Sequence, residues 1–147
     1  MQVPKSLRSD ARAMVKTCPG ALSRLVARRI TQFLDQELAA AGMSSAQLAL
    51  MAQIAAAEDD TLGALARRSG LEQSTLSRNL RTLETAGLIE IATVENDLRR
   101  RAVWLTETGA RRLEAAIPLW RKAQAKLARQ IEMPALARLA RALAPGD

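Results

Sequence analysis

The amino-acid sequence predicts a mainly α-helical protein with one small β-hairpin. Hydrophobic residues make up 48% of the 147 residues but aromatic residues only 2%, so the core must be built from Leu, Ala, Ile, Val and Met, which favours helices. Apolar side chains recur every three or four residues through most of the chain, as on one face of a helix. Two segments rich in β-branched residues, 88–94 and 102–106, flank a polar turn and predict the hairpin. The length fits a single domain spanning residues 1–147.

The N-terminal part is expected to begin as a loose arm. Residues 1–16 are polar and basic without a clear period. Thr17 or Cys18 caps a helix whose first turn contains Pro19, where the missing N–H costs nothing, and which runs to Gly42. This helix is long for so small a domain, so part of its apolar stripe should be covered by another chain.

A second helix follows over residues 45–57, capped by Ser44 or Ser45. The acidic triplet 58–60 ends it and allows two interpretations. Beside the N-terminus of the next helix, which starts after Thr61, the triplet complements the positive end of the helix dipole. Alternatively, it is an acidic patch that binds a partner.

Residues 61–86 predict two short helices joined by a glycine turn. Thr61 is an N-cap, and Gly70 follows the end of the first helix. In the second helix, Leu76, Leu80 and Leu83 form a buried stripe. Its opposite face carries Gln73, Ser74, Ser77, Arg78 and Arg81. An apolar back and a polar, cationic front, set against a preceding helix by a short turn, are the features of a helix-turn-helix that enters the DNA major groove.

Roles in DNA binding can be assigned along this second helix. Side chains in its N-terminal half reach base edges: Ser74, Ser77 and Arg78. Side chains at its start bind phosphate together with the helix N-terminus: Gln73 and Thr75. Arg78 and Arg81 read guanine or grip phosphates. In the alternative interpretation, Arg81 pairs with Glu84 on its own helix and does not touch DNA.

The hairpin has a cationic tip. Asn96 and Asp97 supply turn residues, and Arg99, Arg100 and Arg101 follow. An arginine on such a tip can enter a minor groove and exploit its negative potential. Three arginines also keep an exposed loop soluble, but the position directly after a helix-turn-helix favours the groove. Arg100 and Arg101 are expected to contact phosphate or to point along the hairpin.

Two further helices complete the chain. Thr106 caps a helix over residues 107–131, which Pro118 should kink, and Pro134 opens a short final helix. Trp104 should alternate with the inward-facing residues of its strand and be partly exposed. Trp120 is expected to belong to the core rather than to a ligand-binding surface.

Three stretches resemble the MarR family of winged-helix transcription regulators: residues 65–89, Asp97-Leu98-Arg99, and Leu105-Thr106-Glu107-Thr108-Gly109. The resemblance covers most of the chain. It implies that Arg99 is the minor-groove arginine and that Asp97 holds it by an ion pair.

The resemblance also implies a homodimer. Residues 18–43 and 107–147 would be dimerisation helices that interleave across a two-fold axis, and residues 44–106 would be the winged-helix DNA-binding region. A DNA argument agrees, because two recognition helices about 34 Å apart match successive major grooves of a pseudo-palindrome in double-stranded DNA. The expected function is a sequence-specific regulator, most often a repressor in this family.

Family members usually have a ligand pocket between the dimerisation helices and the winged domain. Its walls here would come from residues 19–41, 45–57 and 107–131. Arg24, Arg28 or Arg29 would hold a small organic anion, which releases the protein from DNA by favouring a different spacing of the recognition helices.

Composition and charge exclude several other classes of protein. The net charge of +7 suits a polyanionic partner. With no histidine and one cysteine, zinc and an internal disulfide framework are excluded, and no cofactor is predicted. Without a glycine-rich phosphate loop or a catalytic carboxylate cluster, an enzyme is not expected. No signal pattern or membrane-spanning run is visible, so the sequence predicts a cytoplasmic protein without a membrane role.

Two alternatives remain open. Cys18 at a helix N-terminus would have a favoured thiolate, and some members of the family sense hydroperoxides through a cysteine near this position. Those sensors rely on tyrosines that this chain lacks, so a half-buried structural cysteine is the preferred interpretation. The other alternative is a winged-helix module that binds proteins and has no DNA role.

Overall fold

A computed structural model describes residues 3–94 and 97–144, together with their side chains except those of residues 94 and 97–99. The elements in chain order are α1 (Lys5–Thr17), α2 (Pro19–Leu38), a 3₁₀ turn (Ala39–Ala41), α3 (Ser45–Ala55), α4 (Leu62–Ser69), α5 (Gln73–Thr85), β1 (Ile89–Val94), β2 (Asp97–Leu105), α6 (Glu107–Ala128) and α7 (Met133–Ala142). The predicted class, mainly α with one hairpin, is confirmed.

The loose arm expected for at least the first part of residues 1–16 does not extend past residue 4. The chain forms the helix α1 there, with none of its residues buried. Its apolar residues, Leu7, Ala11 and Met14, do recur at helical spacing, but a high density of polar and basic residues between them hides the period.

Capping side chains fix where three helices begin. Ser44 rather than Ser45 caps α3: its hydroxyl accepts the Gln47 N–H at 3.2 Å, and its own N–H donates to Gln47 Oε1 at 3.0 Å. Thr61 and Thr106 cap α4 and α6 through hydroxyls that accept backbone N–H groups three residues ahead. These starts were predicted because a cap acts within one turn. In contrast, α3 and α6 end two and three residues before the predicted points.

The core lies between α3, α4, α5, the hairpin and the middle of α6. Its most completely buried large side chains are Leu38, Met51, Leu65 and Leu83. The strands are antiparallel, with Ile89 opposite Leu105 and Thr93 opposite Arg101, and the register changes after Thr93. The buried leucines of α5 join this cluster, which fixes the side of α5 that faces outward.

A close backbone approach fixes the start of α6 against the α5–β1 connection. The Thr106 hydroxyl donates to the Gly87 carbonyl at 2.6 Å, and the Thr106 N–H donates to the Leu88 carbonyl at 3.1 Å. Gly109 is buried, and a Cβ atom there would lie 1.9 Å from the Leu88 oxygen. Only glycine allows this contact without a backbone shift.

No single described helix is long and apolar enough to cross a membrane. Residues 19–41 and α3 pass that test only as a pair, by length and composition, and they meet at a 75° bend.

Candidate DNA-binding site and effector cavity

One face of α5 is buried and the opposite face is open. Leu76, Leu80 and Leu83 are buried against the core, as predicted. Five of the predicted DNA-contacting side chains are exposed: Gln73, Ser74, Ser77, Arg78 and Arg81. Thr75 is half-buried. The fold therefore presents the polar and cationic side of α5 outward as one continuous surface.

The start of α5, like those of α1, α2 and α7, has no side-chain cap. Glu72 occupies the N-cap position, and no described side chain caps the helix. The first N–H groups of an α-helix have no partner within the helix, and together with the dipole they favour an anion. An uncapped N-terminus at the start of the exposed face is thus available for a phosphate group.

The alternative role of Arg81 is not supported. Within the described residues, ion pairs join Arg111 to Glu107 and Lys126 to Glu37, and Arg81 takes part in neither. The Arg81 side chain stays exposed instead of pairing with Glu84. Helical spacing permits such a pair but does not require it, because an exposed pair gains little energy.

The hairpin is fastened to the start of α4. The Val103 N–H donates to the Asp60 carbonyl at 2.8 Å, and Thr61 forms an isolated β-bridge with Ala102. These contacts hold the base of the hairpin, called the wing below (β1 and β2), against the helix-turn-helix. The predicted Asp97–Arg99 ion pair lies outside the described side chains. Arg100 and Arg101 are exposed on β2.

A cleft of about 400 Å³ lies between the wing and the start of α4. It is lined by Asp59, Thr61, Leu62, Gly63, Arg67, Arg100 and Arg101. Arg67 is a residue that the sequence analysis missed. Its place on the exposed side of α4, four residues after Gly63, could have marked it as a surface cation. Only the fold brings it beside the wing arginines. The three arginines of the cleft outnumber its single carboxylate, Asp59, so the cleft is cationic.

Asp59 supports the helix-dipole interpretation of the acidic triplet. Its carboxylate accepts the Thr61 hydroxyl at 2.7 Å and the Thr61 N–H at 2.9 Å. These hydrogen bonds lower the pKa of Asp59 below its usual 3.8, and the nearby Arg100 and Arg67 lower it further. Asp59 is therefore held as an anion beside the N-terminus of α4.

A second, mostly apolar cavity of about 600 Å³ lies between α2, α3 and α6. Its lining is Leu34, Ser45, Leu48, Ala49, Ala52, Ala55, Ala56, Leu113, Ile117, Trp120 and Arg121. These walls come from the three helices that the resemblance implied. Two expectations are corrected. Trp120 is 37% exposed and lines the cavity instead of joining the core, and the arginine at the cavity is Arg121 rather than Arg24, Arg28 or Arg29. The reason is helical phase, because the exposed arginines of α2 lie on a different face from Leu34.

Cys18 is half-buried at the N-cap of α2. Backbone N–H groups of Ala21 and Gly20 lower the pKa of its thiol, and Arg24 adds to the effect, while partial burial opposes it. The redox interpretation stays a prediction. Among the described residues, no group of three or more acidic, cysteine or histidine side chains is placed to hold a metal ion.

Comparison with known proteins agrees with this geometry. A model of the MarR family matches residues 41–100, which hold the helix-turn-helix and most of the wing. No curated protein matches significantly. MosR, a transcriptional regulator of M. tuberculosis, is 30% identical, with a TM-score of 0.75 over 88% of this chain and 94% of MosR.

Two structures of related proteins bound to DNA are also similar. The MosR–DNA complex has 29% identity and a TM-score of 0.73, over 87% of this chain and 99% of that one. A mutant E. coli MarR with operator DNA has 24% identity and a TM-score of 0.78, over 90% and 98%, a likeness of fold. The family match and the near full-length similarity to MosR show that the chain belongs to the MarR family of winged helix-turn-helix transcriptional regulators and is not an enzyme.

Proposed function

We propose that this regulator works as a homodimer on a pseudo-palindromic operator, represses transcription there, and leaves the DNA when a small organic anion binds the cavity between α2, α3 and α6. The observation that carries the proposal is the outward polar and cationic face of α5, opposite three buried leucines. Each copy would place this face in a major groove and Arg99 in the adjoining minor groove.

The distribution of exposed apolar side chains supports the dimer. Nine of the twelve large hydrophobic side chains that are exposed in the described structure lie near the chain ends: Val3, Leu7, Met14, Val15, Leu22, Val26, Leu136, Leu139 and Leu143. Exposed apolar side chains in this number on the terminal helices indicate an interaction site. Residues 18–43 and 107–147 would form the dimer, and residues 44–106 would bind DNA.

Contacts to DNA then divide into two kinds. Base edges would be read by Ser74, Ser77, Arg78 and Arg81. Phosphates would be bound at the uncapped start of α5 by Gln73 and Thr75, and along the wing by Arg100 and Arg101. Asp97 would orient Arg99.

Selection of bound DNA from a random pool tests this proposal. A dimer of this kind should enrich a pseudo-palindrome with half-sites about 10 base pairs apart. Binding should also weaken by several orders of magnitude between low and moderate salt, as expected for about ten phosphate contacts. A protein-binding module without a DNA role would enrich no sequence and would show weak, salt-insensitive affinity.

A pair of arginine variants then tests the wing. Arg99→Ala should weaken operator binding roughly tenfold or more, because each dimer loses two arginines and one groove contact is worth about 1–3 kcal/mol. Arg138→Ala, on α7, removes the same charge far from α5 in the sequence and should change affinity by less than about twofold. Equal affinities in a gel-shift titration would remove Arg99 from the interface. Gel filtration checks that both variants keep the oligomeric state of the wild type.

The effector half of the proposal rests on the cavity. Its apolar lining suits a hydrophobic body, and the single cation, Arg121, suits a carboxylate. Trp120 supplies a fluorescence signal. Titration with benzoate and octanoate should quench tryptophan emission and lower operator affinity. Arg121→Ala should weaken ligand binding by roughly 10–100-fold, the value of a hydrogen bond to a charged group, whereas Arg129→Ala should not. Binding that leaves operator affinity unchanged would show that the cavity is not regulatory.

A further inference from the structure

Helix α1 has no support from its own chain. None of its thirteen residues is buried, and its large apolar side chains are widely exposed: Leu7 by 55%, Met14 by 68% and Val15 by 76%. An isolated helix shorter than about 12–15 residues is marginal in water, so helices of this length depend on packing of an apolar face. Something must therefore cover α1 when it is helical.

The helix has two distinct faces. One side carries the apolar residues Leu7, Ala11, Met14 and Val15, with Val3 just before the helix. The adjoining side carries four cations at spacings of three and four residues: Lys5, Arg8, Arg12 and Lys16. A partner that covers the centre of the apolar face, around Leu7 and Met14, would leave Lys5 and Lys16 in water without a desolvation cost, whereas Arg8 lies beside the edge of the face at Val15.

Continuity with α2 indicates which partner fits. The Cys18 N–H donates to the Met14 carbonyl at 2.9 Å, and the Leu22 N–H donates to the Cys18 carbonyl at 3.1 Å. These two backbone hydrogen bonds at Cys18 connect the end of α1 to the start of α2. Just beyond it, α2 exposes Leu22 and Val26.

Helix α7 exposes a matching stripe, namely Leu136, Leu139 and Leu143. Apart from Trp120, which lines the cavity, these three and the two on α2 are the only large exposed apolar residues of the proposed dimerisation helices in the described part of the chain. A stable interface uses about 20–30 residues on each side, so this surface is small. The four large apolar side chains exposed over residues 3–15 nearly double the number available for such an interface.

We propose that the apolar face of α1 packs on the terminal helices of a second copy of this chain and forms part of the dimer interface. The proposal rests on the homodimer proposed above and adds residues 3–17 to it. Most of the basic stripe lies outside the centre of this contact, which limits its repulsion from the arginines of α7.

Two double variants of the full chain test this inference. Leu7→Glu with Met14→Glu puts two carboxylates on the apolar face. Ser9→Glu with Ala13→Glu adds the same charge on exposed positions away from that face and serves as the control. Sedimentation velocity over a concentration series gives the dimer dissociation constant of each protein. We expect the first pair to raise it about tenfold or more, since two apolar side chains lose their burial. The control pair should change it less than about threefold.

The outcomes separate the two proposals. A wild type that is monomeric throughout would overturn the homodimer and this inference with it. A wild-type dimer that both variant pairs leave equally stable would overturn this inference alone. Sedimentation with vesicles of phosphatidylglycerol and phosphatidylcholine completes the test. If wild type binds them, and the first pair abolishes that binding without weakening the dimer, the face is a lipid surface and the proposal is wrong.

Discussion

Substitution of Gly109 tests how α6 is attached to the winged domain. A Cβ atom at this position would lie 1.9 Å from the Leu88 carbonyl oxygen and 2.8 Å from its carbon. Both are backbone atoms, which cannot swing aside as the end of a side chain does. Restoring an ordinary contact of about 3.4 Å requires the start of α6 to retreat by about 1.5 Å, and packed interiors resist such shifts.

That retreat would break the two bonds from Thr106 to the preceding connection, at 2.6 Å to the Gly87 oxygen and 3.1 Å to the Leu88 oxygen. Each is worth about 1 kcal/mol. Overpacking adds about 1–3 kcal/mol. The higher helix propensity of alanine offsets about 1 kcal/mol of this destabilisation. Gly109→Ala should therefore lower the free energy of unfolding by about 2–4 kcal/mol, or Tm by about 5–15 °C.

Gly63→Ala is the matched control. Gly63 also lies in the first turn of a helix, but a Cβ atom there would meet only the Arg67 guanidinium, at 3.6 Å. This variant should be neutral or stabilised by up to about 1 kcal/mol. Urea and thermal unfolding at one fixed protein concentration measure both variants, because the proposed dimerisation would make Tm depend on concentration. If Gly109→Ala unfolds at the wild-type midpoint, the close approach at Leu88 is refuted.

Three further predictions concern a cap, a titrating group and the cationic cleft. Ser44→Ala should lower the free energy of unfolding by about 1 kcal/mol, whereas Ser45→Ala should be nearly neutral; equal losses in urea unfolding would contradict the capping box. The lowered pKa of Asp59 means that its charge stabilises the fold above the usual pKa of 3.8 and that this stabilisation disappears as the pH falls through the folded-state pKa. Asp59→Asn should therefore lower Tm near neutral pH, and the gap from wild type should close in acid; a gap independent of pH would exclude the charge as its cause. Arg67→Ala should weaken operator binding and reduce the salt slope by about one per subunit, measured against Arg138→Ala; an unchanged slope would place Arg67 off the phosphates.

Local features of the structure were predictable from the sequence. The N-cap threonines at 61 and 106 act within one helical turn, and the leucine stripe of α5 follows from helical periodicity alone. The outward face of α5 follows from the same stripe, since burial of one side exposes the other. The walls of the cavity depend on how the helices pack, which local patterns do not show. They were predicted only because the family resemblance implied them.

Features that depend on distant residues were missed or misplaced. Trp120 has an apolar side chain at a core-like spacing, yet the three helices around it leave a cavity, so it lines a surface instead. The arginine at that cavity is Arg121 and not one of the arginines of α2, because the packing of the three helices decides which side chains reach it. Arg67 joined the wing arginines only because β2 pairs back to the segment before α4.

The sequence by itself determined the helices after α1, the caps of α4 and α6, the exposed face of α5 and the family, because each of these is set by interactions or motifs within a few residues. The tertiary structure decided which cations share a cleft, which side chains line the cavity, and which apolar faces, that of α1 among them, stay exposed. Those results depend on the packing of elements far apart in the chain, and no local pattern carries that information.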